Sequence, residues 1–135
     1  MRYTSKNIIE VIKALPDLLP LKPASNTQIT DAELQLRVSF SEEYKAYLKE
    51  FGAIMADGIE LTGIAKSEHR NVVSLTEQER ALNPNVPHTM YVIENTGVDG
   101  IMIWQDTKGK IYQTKPESKP KKIADSLAEY IESHE

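Results

Sequence analysis

The chain contains no cysteine. That single absence excludes disulfides, thiolate nucleophiles and cysteine metal sites together, and it fits a reducing compartment. Histidine is scarce: His69, His88 and His134 are the three, and none has another histidine at a metal-ligand spacing such as H-E-x-x-H. They read as surface residues, and neither a metal nor a cofactor is expected. There is no phosphate loop and no dinucleotide fingerprint, because Gly97, Gly100 and Gly109 are spaced for turns. The serines lack a nucleophile-elbow context. A Ser-His-Asp triad stays open, since its members need not be neighbours in sequence.

Two further shortages bound the partners. No apolar run is long enough to span a bilayer, and Met1 to Asn7 leads into a short amphipathic stretch rather than an apolar signal region. A cytoplasmic protein with no membrane partner is expected. Basic residues are outnumbered, with 16 Lys and Arg against 20 Asp and Glu, for a net charge of −4. A nucleic-acid binder usually carries a basic surface, so direct nucleic-acid binding is disfavoured, whereas a basic protein partner is compatible. Plain solubility explains the same charge.

What is present is ordinary for a globular protein. A chain of 135 residues, 40% hydrophobic and 27% charged, is long enough to bury its own core. One domain over 1–135 is expected, folding without metal. Ile8, Ile9, Val11, Ile12 and Leu15 recur at helical spacing, so a helix over 4–15 is predicted, capped by Thr4 or Ser5 and closed by Pro16. From Pro16 to Thr30, with Pro20 and Pro23, the chain reads as a connector. Thr30 and Glu33 form a capping-box pattern before a short helix over 31–36, with Leu34 a candidate for burial. Val38 to Phe40 reads as extended.

Ser41 then caps a stronger helix. Tyr44, Tyr47, Leu48 and Phe51 fall at i, i+3, i+4 and i+7, one apolar stripe, and Gly52 stands where a left-handed cap is expected. Ile59 to Thr62 alternates after the Asp57-Gly58 turn and reads as a strand. Asn71 to Leu75 reads as a second strand, and Thr76 to Glu79 as the capping box of a short helix ending near Leu82. Met90–Glu94, Gly100–Gln105 and Lys110–Thr114 read as a three-stranded antiparallel meander, with Asp106 to Gly109 as a hairpin turn. Pro116 and Pro120 bracket a lysine-rich loop. Ile123, Leu127, Tyr130 and Ile131 line one face of a terminal helix. Helices, then strands, then a helix is an α+β order: a mainly antiparallel sheet with helices packed on it.

Few side chains point to chemistry. Glu42 and Glu43 lie in the first turn of a helix, where negative charge suits the dipole, so a structural role suffices. Glu60 and Glu94 alternate with apolar neighbours and read as solvent-facing. Ile101 and Ile103 point to one face of their strand, Met102 and Trp104 to the other, so both faces of the sheet need a cover. Trp104 is then a core residue or a half-exposed interface anchor.

The residues resemble the SUKH superfamily, which includes a yeast cell-wall synthesis regulator and many bacterial immunity proteins. The resemblance rests on Ile29 to Leu34, on Phe40 to Gly52, on Ile59 to Leu61, on Tyr91 to Glu94 with its glycine turn, and on Ala124 to Ile131. It is strongest over 30–131. Many relatives have proline at the position of Phe40 or Ser41, and this chain does not. The resemblance implies helices packed on a mainly antiparallel sheet. It also implies a non-catalytic immunity protein that binds and neutralises a bacterial toxin, often a nuclease. The alternative is a regulatory interaction domain with an endogenous partner. A nuclease surface is basic because it binds phosphate, so Glu60, Glu94 and Asp99, with Trp104 as an anchor, are the expected partner-binding residues.

Overall fold

The computed structural model describes residues 7–133. The elements run α1 (Ile8–Lys13), β1 (Leu19–Pro20), α2 (Asn26–Leu36), α3 (Glu42–Phe51), β2 (Ile54–Ala56), β3 (Ile59–Leu61), α4 (Val72–Leu82), β4 (Tyr91–Asn95), β5 (Met102–Gln105), β6 (Ile111–Thr114), β7 (Lys121–Ala124) and α5 (Leu127–Glu132). They build two antiparallel sheets, β1-β2-β3 and β4-β5-β6-β7. This is the expected α+β class, with one strand more in the meander than predicted and a second, smaller sheet.

Helix α3 follows its sequence signals. The Ser41 hydroxyl accepts from the Tyr44 amide at 2.9 Å, and Tyr44, Tyr47, Leu48 and Phe51 are all buried. The backbone amides before it are committed too. Phe40 donates to Glu33 Oε2 at 2.8 Å and Ser41 donates to the Tyr91 hydroxyl at 2.9 Å. Proline at either place would remove a donor, which accounts for its absence here.

Several boundaries differ from expectation. The cap of α1 among the described residues is Asn7, whose Oδ1 accepts from Glu10; Thr4 and Ser5 lie outside them. Helix α2 starts well before Thr30, inside the supposed connector, because Ser25 and Gln28 form the actual capping box. That start turns Ile29, Ala32 and Leu36 inward and leaves Leu34 exposed. The stretch expected as a strand over 71–75 is instead the start of α4. The Asn71 side chain accepts from both the Val73 and Ser74 amides, and this cap outweighs the β preference of two valines. Ile123 belongs to the edge strand β7 and not to the terminal helix.

The four-stranded sheet is covered on both faces, as its two apolar sets require. Ile93, Ile103 and Ile111 join the main core with α1, α3 and α5. Met102 and Trp104 meet Leu75, Val86, Met90 and Val92 on the other face, beneath α4. Trp104 is fully buried, and its indole donates to Thr114 Oγ1 at 2.9 Å.

A β-bulge in β4 links the two sheets. Val92 pairs with Trp104 and Glu94 with Ile103, so Ile93 is an extra residue. Its carbonyl accepts from the Thr62 amide at 2.9 Å, just past the end of β3. The outer edge of β4 is otherwise closed by two threonines: Thr62 Oγ1 donates to the Val92 carbonyl and Thr76 Oγ1 accepts from the Val92 amide. Both threonines are buried for that reason.

Candidate functional site

The small sheet has one inward and one outward face. Ile54 and Leu61 pair across it and are buried. On the outward face, Leu19 pairs with Met55 and Met55 with Glu60. Leu19 is 63% exposed and Met55 37%. Leu21, two residues past Leu19 on the same extended segment, is also exposed. The result is an apolar row ending in a carboxylate. Arg70 closes that end, with its Nε 3.2 Å from Glu60 Oε2.

Beside this row lies a groove of about 760 Å³. Leu21 to Ser25 line it from one segment and Ile64 to Ser67 with Arg70 from another, together with Gln28 of α2. Backbone contacts through the end of α3 hold the two segments in place. Leu21 donates to the Ala53 carbonyl at 2.8 Å, Ala24 to Leu48 at 3.0 Å, and Ile64 to Gly52 at 3.0 Å.

Two glycines make this stacking possible. Gly52 has φ 76 and ψ −58, and the Ala53 amide donates to the Phe51 carbonyl at 2.8 Å. That is a γ-turn, positive in φ as expected but not the left-handed cap. A Cβ on Gly63 would stand 1.8 Å from the Gly52 carbonyl oxygen. The wall carrying Arg70 can approach α3 only because Gly63 has no side chain.

Under the sheet, α3 supplies a buried hydroxyl network. Tyr47 donates to the Thr62 carbonyl at 2.7 Å and accepts from the Ile54 amide at 3.1 Å. Tyr44 bonds to Thr62 Oγ1 at 3.0 Å. Burial pushes both hydroxyls well above the usual tyrosine range; for Tyr47 the Ile54 hydrogen bond and the Arg70 charge pull weakly the other way. Both stay neutral and fix β2 and β3 to the core.

Two of the expected partner residues, Glu60 and Glu94, come together, but two of the four, Glu94 and Trp104, are buried. Glu94 is buried, not solvent-facing: the bulge turns it to the face covered by α5, where Oε1 accepts from the Tyr130 hydroxyl, and Oε2 accepts from the Glu60 amide. Period-two alternation fails there because Ile93 is the extra residue. Trp104 takes the core side of its two alternatives and has no exposed surface to offer a partner. Asp99 is exposed in the β4–β5 connection, with φ 51. Glu60 is half-exposed but paired with Arg70. An acidic edge built from Glu60, Glu94 and Asp99 is therefore not present as one surface.

Glu43 has a structural role beyond the dipole of its own helix. Its Oε1 and Oε2 accept from the Leu127 and Ala128 amides at 2.7 and 2.9 Å, the first turn of α5. Its Oε1 also accepts from Gln105 Nε2 at 3.0 Å. Ser126 takes the next amide, that of Glu129, at 3.0 Å. Among the described residues, no group of three or more His, Asp or Glu is placed to hold a metal ion, and no helix is long and apolar enough to cross a membrane. His134 lies outside the described residues.

Fold and surface together define an α+β protein with a fixed apolar row and an adjoining groove left open to solvent. A family model described as SMI1-KNR4 cell-wall, SUKH_5, matches residues 5–134. The chain belongs to this SUKH family. A solved structure from Pseudomonas syringae pv. tomato, described only as a protein, has the same fold: the TM-score is 0.74 at 17% identity, over 93% of this chain and 96% of that one. No curated protein matches the chain.

Proposed function

We propose that this chain is a non-catalytic immunity protein of the cytoplasm, which binds a bacterial protein toxin and neutralises it by covering its surface. The observation that supports this reading is the Leu19–Met55 row. It is an exposed apolar strip on a sheet face, rimmed by the Glu60–Arg70 pair, and exposed apolar surface with a polar rim is the usual make-up of a protein interface. The row is rigid, because backbone hydrogen bonds and the buried tyrosines hold the sheet from below. A partner that lands on it loses little free energy to ordering this side.

The face, rather than the edge, is the docking element. Pro20 on the edge strand β1 has no N–H to donate, which hinders addition of a further strand. SUKH membership, matched over residues 5–134, fits a binding role.

The test is co-expression with a toxin encoded beside this chain in its source genome. Cells carrying the chain are expected to grow while cells carrying an empty vector are not, and the purified pair is expected to elute as one complex. Absence of rescue, with the chain abundant and folded, would sink the reading.

A further inference from the structure

The groove beside the apolar row has a charge of its own. Lys22, Lys66 and Arg70 line it, and no carboxylate does. In a chain with a net charge of −4, three cations on one concavity run against the overall balance. Lys22 and Lys66 are exposed and have no ion-pair partner among the described residues. Arg70 is held by Glu60 on one side only. Its side chain is only 15% exposed, so it adds positive charge to the wall of the groove rather than acting as a free surface group. Beside the cations the lining is mainly apolar, with Leu21, Pro23, Ala24 and Ile64 next to the polar Ser25, Gln28 and Ser67. Leu21 belongs both to the groove and to the exposed segment that carries Leu19, so one partner can cover both.

We infer that the groove takes an acidic, partly apolar segment of the protein partner, with its carboxylates set against Lys22, Lys66 and Arg70 and its apolar side chains against Leu21 and Ile64. This rests on the proposal that the chain works by binding a protein. Charge complementarity selects the occupant: carboxylates match the cations, and aliphatic side chains match walls that phosphates would leave unfilled. The part of a toxin engaged here is then an acidic loop away from any phosphate-binding cleft. The polarity is the reverse of the one expected from an acidic immunity surface meeting a basic nuclease.

The probes are short fluorescein-labelled peptides alternating Glu with Leu, Gln with Leu, and Lys with Leu, and a labelled single-stranded oligoribonucleotide, read by fluorescence anisotropy. The Glu peptide is expected to bind about tenfold more tightly than the Gln peptide, a difference of about 1.4 kcal/mol. High salt should shrink that preference. Amide chemical shifts should move over 22–25 and 64–70. The double variant K22E/K66E, which alters only exposed side chains, should keep its melting temperature and lose the preference; R70K, which keeps the charge, should retain much of it. Equal affinity for the Gln peptide, tighter binding of the RNA, shifts elsewhere on the protein, or an unaltered preference in K22E/K66E would each overturn the inference. The two readings fail separately. If K22E/K66E still protects cells from the toxin as well as the unaltered chain, the groove inference falls and immunity stands. If the acidic peptide binds the groove but the chain protects no cell, immunity falls and the groove stands.

Discussion

A Cβ added to Gly52 would stand 2.0 Å from the carbonyl oxygen of Lys22. The end of α3 and the wall of the groove thus touch through backbone alone. Gly52→Ala must strain a γ-turn and also push the Lys22 segment away. The positive φ costs about 1 kcal/mol and the displaced backbone about 2 more. A loss of about 3 kcal/mol is expected in denaturant melts, by the sum of those two effects. Gly58→Ala is the comparison: φ is 81 but no atom lies within 4 Å of the new Cβ, so only the strain of about 1 kcal/mol remains. Equal losses for the two variants would show that the Lys22 contact does not matter.

Glu43 is expected to control α5. A six-residue helix is marginal alone, and two of its first amides depend on this one carboxylate. Glu43→Ala removes the acceptor for both and leaves Gln105 Nε2 with one partner fewer. A loss of about 3 kcal/mol is expected, from charge-assisted hydrogen bonds worth about 1.5–3 kcal/mol each that water partly replaces. Amide exchange should quicken first at Leu127 and Ala128. Uniform quickening over the whole protein, with no lead at α5, would contradict the assignment.

Alkaline pH should unfold the protein through its tyrosines. Tyr44, Tyr47, Tyr91 and Tyr130 all have hydroxyls raised above the usual value, chiefly by burial; at Tyr130 the nearby Glu94 carboxylate adds to the effect. Each keeps its proton in the folded state at a pH where the unfolded chain has lost it. Their stabilising contribution is whole below the unfolded value of about 10 and declines as pH rises above it. Each tyrosine contributes a slope of about 1.4 kcal/mol per pH unit, or about 5 for the four. Tyrosinate absorbance from these four should appear together with loss of circular dichroism. Ionisation well before unfolding would mean that water reaches the hydroxyls in the folded state.

How far the sequence foretells this molecule depends on how local each signal is. Helix α3 is legible in its extent, because Ser41, the aromatic stripe and Gly52 each act over a turn or two of one helix, although the γ-turn at Gly52 replaces the expected left-handed cap. The β4–β6 meander is legible from alternation and from the Asp106–Gly109 turn. Helix α2 is harder to place, although Ser25 and Gln28 carry an S-x-x-Q capping pattern as clear as the one at Thr30; Pro20 and Pro23 draw the whole stretch into an apparent connector. Strands β1 and β2 are two and three residues long, too short for any period to show.

The site is less legible for the same reason. Nothing in Leu19 or Met55 announces exposure until strand pairing sets these distant residues side by side. Glu94 reads as solvent-facing because a bulge is one extra residue with no fixed signature, and it reverses the face of the residues beyond it. The cations of the groove come from the β1–α2 connection and from the segment after β3, far apart in sequence. Only the fold, through Gly52 and Gly63, sets them opposite each other.

The apolar row provides the most direct check on the proposed surface. The double change Leu19→Ser and Met55→Ser removes one side chain that is mostly solvated and one that is 37% exposed, so the folded state should lose about 1 kcal/mol, most of it at Met55. A partner that covers the row would lose the burial of two side chains. At about 25 cal/mol per Å² of apolar surface, affinity should fall by roughly ten- to a hundredfold, most of it in the off-rate. The change is uncharged, so the loss should persist at high salt, unlike the loss expected from K22E/K66E. Asp99→Asn, on the exposed β4–β5 connection, is the control and should leave protection intact. Surface plasmon resonance against the purified toxin, alongside the growth assay, reads all three variants. If the Leu19/Met55 variant protects fully while Asp99→Asn does not, the binding surface lies at the meander end and the small sheet is only structural.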